Sequence, residues 1–187
     1  MRAFLAIELP GDVVAALLRL QAGLPVGRPV AEENLHLTLA FLGDQPEAAL
    51  EALHYELEAI RAAPFRLGFS GLGAFGGDRP RVLFADLRPS AELTALHGQV
   101  MRALRRAEVA VPRERYHPHV TLARFGGGRD RGAGPAQAQR LRDFIARYGD
   151  ISAPRFPDFD VTGFGLYRST LHPQGAQYDL LAHYALI

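Results

Sequence analysis

The chain has 187 residues, of which 48% are hydrophobic and 22% are charged, and its net charge is +1. These values are ordinary for a globular protein with a hydrophobic core, and they exclude a strongly basic, non-specific nucleic-acid binder. The absence of cysteine excludes disulfides, thiolate metal sites and a cysteine nucleophile. No apolar run approaches the roughly 20 residues of a membrane span, and the N-terminus turns acidic too soon for a secretion signal. We therefore expect a cytoplasmic protein without a membrane partner.

The first half of the chain predicts strands and helices in alternation, because its apolar spacing switches between the strand and helix periods. The predicted elements are a strand over 3–9, a helix over 13–22 with Asp12 as its N-cap, a strand over 35–42, a helix that begins at Pro46, and strands over 65–72 and 81–87 joined by the loop 73–80. The second helix is expected to bury Leu50, Leu53, Leu57 and Ile60.

The second half of the chain repeats this order. Ser90 caps a third predicted helix, and a strand follows over 120–125. A glycine-rich loop then leads to about Pro135, a fourth helix covers roughly 136–148, and strands over 159–167 and 178–186 close the chain. Two similar α+β units without a clean linker predict an internal duplication, with two lobes in one compact body.

A His-x-Thr motif occurs in each half, as His36-Leu37-Thr38 and His119-Val120-Thr121, 83 residues apart. Because strand side chains alternate between faces, the His and Thr of each motif point the same way, and the residue between them faces the core. A duplication whose halves face each other would bring two imidazoles and two hydroxyls to one cleft. Such groups can perform acid–base catalysis on a phosphate ester, with Thr38 and Thr121 donating to its non-bridging oxygens. Either motif alone is more often an ordinary strand fragment.

The residues around both motifs resemble the paired signatures of the 2H phosphoesterases. The nearest likeness is to the RNA 2′,3′-cyclic phosphodiesterases, once called 2′-5′ RNA ligases. The likeness is carried by 34–43 and 116–124, and by flanking segments at 2–7, 79–84 and 166–169 with Gly175 and Tyr178. It spans nearly the whole chain, and two motifs with these flanks are far more specific than one.

The resemblance implies an α+β fold with the bilobal, duplicated architecture of the 2H phosphoesterases. Two antiparallel sheets are expected to face each other across a central cleft, with the helices on the outside. One domain over residues 1–187, made of two pseudo-symmetric lobes, is expected, and so is a monomer.

The activity that the resemblance implies is hydrolysis of 2′,3′-cyclic phosphate ends of RNA, or of a cyclic nucleotide, to 2′-phosphomonoesters. By the same resemblance, His36 is the proton donor to the leaving oxygen and His119 the proton acceptor from water. The sequence itself is symmetric and does not distinguish these roles. No metal ion and no cofactor is expected, and reversal of the reaction implies a weak 2′-5′ ligation.

Arg124 and His117 flank the second motif. Arg124 lies at an odd offset from His119, so only a bulge or the end of the strand would turn it toward the cleft to bind substrate. A structural salt bridge is the alternative. His117 shares a face with His119 unless Pro118 disturbs the pleat, and we expect it to contact substrate at the rim. Further arginines predict a basic rim that holds RNA phosphates: Arg113, Arg115, Arg129 and Arg131.

Many members of the family carry an aromatic residue just before the first motif strand, where this chain has the residues 31–33, Ala-Glu-Glu. A nucleobase would then need another ring to stack on. The candidates are Phe41, Tyr116 and Phe125.

Other functions stay open at this point. A second branch of the 2H enzymes would act on 2′-5′ oligonucleotides or on ADP-ribose cyclic phosphate. A binding module would hold RNA ends without turnover, although the presence of both motifs argues against it. A zinc hydrolase would use His36, His117 and His119, but no acidic residue or cysteine lies at ligand spacing to complete its site.

Overall fold

The computed structural model describes residues 1–112, 115–126, 132–151, 156–172 and 175–187. Within these residues the chain forms four α-helices and ten strands. The helices are α1 (Gly11–Gln21), α2 (Glu47–Glu58), α3 (Ala91–Arg106) and α4 (Pro135–Tyr148). The strands are β1 (Arg2–Glu8), β2 (Arg28–Pro29), β3 (His36–Asp44), β4 (Phe65–Leu67), β5 (Phe69–Phe75), β6 (Val82–Leu87), β7 (His119–Arg124), β8 (Phe159–Val161), β9 (Gly163–His172) and β10 (Gly175–Ala185).

Eight of these strands form one antiparallel sheet. Seven follow the order β10-β9-β1-β3-β7-β6-β5, and β2 pairs with β7. The two motif strands, β3 and β7, are neighbours at the middle of the sheet, where Leu37 pairs with Val120. The remaining strands, β4 and β8, form a separate two-stranded antiparallel sheet. The predicted α+β class with antiparallel sheets is confirmed, and the structure adds that the two halves of the main sheet are joined at the motif strands.

One face of the main sheet carries the hydrophobic core. Leu5 and Ile7 of β1 are fully buried in it, together with Leu53 of α2 and Leu96 of α3. The helices pack against this face, with α3 against β3, α1 against β7 and α4 against β5. The opposite face of β1 presents Phe4, which forms a separate small cluster with neighbouring rings. None of the described helices is long and apolar enough to span a membrane.

Most predicted elements are confirmed, including the four helices in order. The Ser90 hydroxyl accepts a hydrogen bond from the Leu93 amide at 3.0 Å, as an N-cap should. The prediction of Asp12 as the N-cap of α1 was wrong. Pro10 occupies that position, so Asp12 lies in the first turn, where its carboxylate accepts from the Val13 amide.

Two long predicted strands are each divided in the structure. The strand predicted over 65–72 breaks at Gly68 and resumes to Phe75, because β4 leaves the main sheet to pair with β8. A Cβ atom at Gly68 would meet the Arg88 guanidinium and the Asp158 carboxylate, so a larger residue at this break requires these side chains to move. The strand predicted over 159–167 breaks at Thr162 for the same pairing.

Candidate active site

The two motif strands present their residues in the same way. Along the first six residues of both β3 and β7, exposure follows one pattern: His and Thr are half-buried, the residue between them and the two after Thr are buried, and the sixth residue is exposed. Leu37 and Val120 are fully buried in the core, as the alternation of strand side chains predicts. The two His-x-Thr pairs therefore lie on the sheet face opposite the helices, on neighbouring strands.

A β-bulge occurs at the same place in both motif strands. Thr38 pairs with Ala6 and the next pairing is Ala40 with Leu5, so Leu39 is the extra residue. In β7 the equivalent extra residue is Leu122. A bulge shifts the alternation by one residue, so the residue three places after each threonine returns to the face that carries the histidines. In the first strand this residue is Phe41, and in the second it is Arg124.

Both motif histidines are held by the same hydrogen bond. The Nδ1–H group of His36 donates to the Asn34 carbonyl at 2.7 Å, and that of His119 donates to the His117 carbonyl at 2.7 Å. Because a carbonyl oxygen can only accept, Nδ1 keeps its proton in both the neutral and the charged ring. Nε2 is therefore the nitrogen that gains and loses a proton at each site.

Aromatic rings pack around each imidazole. The ring centroids of Phe4 and Tyr178 lie 5.0 and 5.4 Å from that of His36. Those of Phe75 and Phe84 lie 5.0 and 5.2 Å from that of His119. This burial is the main cause that lowers the pKa of both histidines below 6.5, so each imidazole is predominantly neutral at pH 7.

Arg124 acts electrostatically on both histidines. Its positive charge contributes to the lowered pKa of His36. It also lowers the pKa of His119, where it is the smallest of the causes. The β-bulge at Leu122 therefore turns the Arg124 side chain toward the motif face. Arg28 of β2 pairs directly with Arg124 across the strands and is also exposed. Sequence reasoning missed Arg28, because nothing in its local pattern predicts that β2 lies beside β7.

His117 is exposed and lies beside a carboxylate. Its Nε2 donates to Asp86 Oδ1 at 3.1 Å, and Asp86 is the residue of β6 that pairs with His119. Sequence spacing did not reveal this acidic neighbour. Among the described residues, no group of three or more histidine, aspartate or glutamate side chains is arranged to hold a metal ion.

The three rings proposed to contact a base differ in accessibility. Phe125 is 6% exposed, and Tyr116 is half-buried with its ring stacked on His97 at 3.8 Å. Phe41 is 59% exposed on the motif face. Of these three rings, Phe41 alone presents an open face to a ligand.

Part of the predicted basic rim falls outside the described residues, namely Arg113, Arg129 and Arg131. Arg115 is described and exposed. A cavity of about 210 Å³ lies beside Glu8, Asp160 and His183, and it contains none of the four motif side chains.

Comparison with known proteins links this arrangement to one family. The family model described as the 2′-5′ RNA ligase superfamily matches residues 14–171. The RNA 2′,3′-cyclic phosphodiesterase of Escherichia coli K12 is 35% identical over 190 residues, which cover 99% of this chain and 96% of the relative. The protein of the same name from Aeropyrum pernix is 35% identical over 161 residues, or 85% of each chain.

Solved structures of similar proteins share this fold over nearly the whole chain. The crystal structure of E. coli LigT complexed with 3′-AMP has a TM-score of 0.75 and 28% identity, and the match covers 99% of this chain and 96% of that one. A crystal structure of a Thermus thermophilus protein has a TM-score of 0.76 and 30% identity, covering 100% and 98% of the two chains.

Proposed function

The chain belongs to the 2′-5′ RNA ligase superfamily, and from this premise we propose that it hydrolyses 2′,3′-cyclic phosphate ends of RNA to 2′-phosphomonoesters. The observation that carries the proposal is the pair of equivalent histidines, each with Nδ1 bonded to a carbonyl and Nε2 left for proton transfer. The names of the relatives support the substrate class, and the LigT complex with 3′-AMP is consistent with a ribose phosphate ligand.

Hydrolysis needs a base on one side of phosphorus and an acid on the other. Neutral His119 takes a proton from water at Nε2 as the water oxygen bonds to phosphorus. The bond from phosphorus to the 3′ oxygen breaks, and His36, which takes up a proton when the anionic substrate binds, delivers its Nε2 proton to that oxygen. Each proton transfer contributes roughly 10²–10⁴-fold to the rate. The assignment of acid and base follows the family, since the two sites have the same local geometry.

The threonine hydroxyls act on the phosphoryl oxygens. Thr38 and Thr121 lie on the same face as the histidines. Each follows directly after a residue of the Leu37–Val120 pair, which joins β3 to β7 at the centre of the sheet. Their hydroxyls donate to the non-bridging oxygens, where negative charge grows in the transition state. Reversal of the same steps, with acid and base exchanged, gives a weak 2′-5′ ligation.

Substrate beyond the phosphate is held by groups at the edges of the motif face. The exposed ring of Phe41 stacks on the base, and the Arg28 and Arg124 guanidinium groups attract RNA phosphates. Exposed His117 lies beside His119 and contacts substrate at the rim.

We also propose that the protein is a cytoplasmic monomer made of two pseudo-symmetric lobes. Light scattering during size-exclusion chromatography checks the oligomeric state.

The decisive experiment is turnover of a short RNA that ends in a 2′,3′-cyclic phosphate, with phosphorus NMR to locate the phosphate of the product. We expect a 2′-phosphate from the wild type and losses of at least about 10²-fold in His36→Ala and in His119→Ala. The double variant should lose little more than either single variant, because acid and base act as a unit. Near wild-type turnover by either single variant contradicts the mechanism, and a 3′-phosphate product contradicts the identity of the leaving oxygen.

Parallel assays separate the competing activities. A 2′-5′ oligonucleotide and ADP-ribose cyclic phosphate should be turned over more slowly than the cyclic-phosphate RNA. Binding of the RNA without any turnover would identify a binding module instead. Activity should survive treatment with EDTA, whereas loss that zinc restores would indicate a metal-dependent hydrolase.

A further inference from the structure

The environment of His119 differs from that of His36 in one respect. In both motifs, the residue two places before the histidine provides the carbonyl that accepts its Nδ1–H. In the first motif this residue is Asn34, whose amide donates to the Ala176 carbonyl of β10 at 2.8 Å. In the second motif it is His117, whose ring donates to the Asp86 carboxylate of β6 at 3.1 Å. Each motif therefore anchors this residue to a strand, but only the second does so with ionisable groups.

Asp86 is well placed to restrain His117. It pairs with His119 across the strands, and its Oδ1 also accepts from the Leu87 amide at 3.1 Å. The His117 ring packs against Phe75 and Phe84 in T-shaped geometry, with centroids at 5.4 and 5.3 Å. These two phenylalanines also contact His119. The His117 ring thus contacts two phenylalanine rings and a carboxylate.

We propose that Asp86 and His117 form a positioning pair for His119, in which the carboxylate holds the His117 imidazole and thereby fixes the carbonyl that orients the His119 ring. This inference rests on the proposed function, because a positioning role requires His119 to act on substrate. Neither residue of the pair transfers a proton to substrate. Their effect on the reaction passes through the orientation and charge of His119.

The charges around His119 reinforce this role. The Asp86 carboxylate raises the pKa of His119, whereas His117 and Arg124 lower it through their positive charge, and burial lowers it most. The charge of His119 contributes to the lowered pKa of His36 on the neighbouring strand β3. Among the described residues, Asp86 provides the negative charge that acts on His119, and His117 and Arg124 provide the positive ones.

The kinetic test uses paired variants at both positions. Asp86→Ala and His117→Ala should lower kcat on the cyclic-phosphate RNA by about tenfold to hundredfold, because a small misorientation of an acid–base group is costly. KM should change little in Asp86→Ala, since Asp86 does not bind substrate, whereas His117→Ala also removes the rim contact and should raise KM. Asp86→Asn keeps a hydrogen-bond acceptor, and His117→Asn installs the residue that the first motif already uses. Both should recover most of the lost kcat. Asp44→Asn, at the exposed far end of β3, is the matched control and should match the wild type.

The second readout is the pKa of His119, followed through the NMR signals of its ring. Asp86→Asn removes a negative charge and should lower this pKa. His117→Asn removes a positive charge and should raise it. Shifts of the His119 pKa in opposite directions in the two variants support the pair, because a change in packing alone does not predict opposite directions. This readout also decides the case if the alanine variants fail to fold by circular dichroism.

The outcomes separate this inference from the proposed function. If the wild type does not hydrolyse the RNA, or if His119→Ala remains active, the proposed function fails. If the wild type is active and His119→Ala is not, but both alanine variants at Asp86 and His117 turn over normally, the positioning pair is wrong. Shifts of the His119 pKa in the same direction in the two conservative variants would also overturn it.

Discussion

The protonation state of the two motif histidines determines how the free protein binds anions. Burial by neighbouring rings is the main cause of the lowered pKa of both His36 and His119. A bound phosphate places negative charge beside the rings and raises both pKa values, so binding takes up protons. By linkage, affinity for an anion must then rise as the pH falls.

Sulfate provides a clean measurement of this linkage, because it stays a dianion between pH 8 and pH 5. We expect its affinity to increase by up to about tenfold per pH unit for each proton taken up. The increase should begin near the pKa of the bound state and end below the pKa of the free state, where the free rings are already charged. Isothermal titration calorimetry in two buffers of different ionisation enthalpy counts the protons. His36→Ala and His119→Ala should each remove part of the dependence, and an affinity that is constant with pH in the wild type contradicts it.

Phe41 illustrates how one side chain can affect binding without affecting chemistry. Its ring is 59% exposed on the motif face, and base stacking on such a ring contributes about 1–3 kcal/mol. We expect Phe41→Ala to raise KM for a cyclic mononucleotide and to leave kcat nearly unchanged. Phe41→Trp should retain binding because it keeps an aromatic face.

Tyr55 is the matched control for Phe41, since it is an aromatic residue of α2 with 71% exposure. Tyr55→Ala should leave both kinetic constants at wild-type values. A KM that is unchanged in Phe41→Ala, or that changes as much in Tyr55→Ala, shows that the base does not stack on Phe41.

At the scale of single elements, local sequence patterns predicted most of the fold. The His-x-Thr spacing placed both motifs on strands, and the leucine periodicity placed the buried face of α2. These features depend on residues close together in the chain, so a local pattern is sufficient to predict them.

The features that sequence patterns did not predict depend on strand pairing. The bulges at Leu39 and Leu122 appear only when β3 is aligned with β1 and β7 with β6. The contact between Asp86 and His117 depends on the same alignment. Because neighbours in a sheet come from distant parts of the chain, composition and periodicity do not fix their register. The exposure of Phe41 and the direction of Arg124 could therefore be named only as alternatives.

Substitutions at the N-cap of α3 test whether the stability of this helix and the activity of the protein can change independently. The Ser90 hydroxyl satisfies the Leu93 amide, and loss of such a cap typically costs about 1 kcal/mol. We expect Ser90→Ala to lower the free energy of unfolding by about this amount in urea, whereas Ser90→Asp should restore it. Turnover of the cyclic-phosphate RNA should not change in either variant, because Ser90 lies at a helix start on the core side of the sheet. A fall in kcat would show that α3 influences the motif strands.

At the scale of the whole molecule, the location of charge matters more than its sum. The net charge is only +1, yet Arg28 of β2 and Arg124 of β7 are directly paired. Two like charges in a cross-strand pair repel each other unless an anion lies between them. Arg129 and Arg131 follow in the chain, outside the described residues. We expect these arginines to hold the phosphates of longer RNA substrates. Such contacts act equally on the ground state and the transition state, so they should affect KM more than kcat.

Steady-state kinetics of an Arg129→Ala/Arg131→Ala variant on two substrates tests this expectation. For an oligonucleotide, KM should rise, and the dependence of log KM on log salt should weaken by about 0.7 for each RNA phosphate that no longer meets an arginine. For a cyclic mononucleotide, which has no upstream phosphate, both constants should stay near wild type. The matched control is Arg105→Ala/Arg140→Ala, which removes two exposed arginines from α3 and α4 and should leave both substrates unaffected. Equal losses on the two substrates, or a fall in kcat alone, would show that the loop arginines do not guide RNA to the motif face.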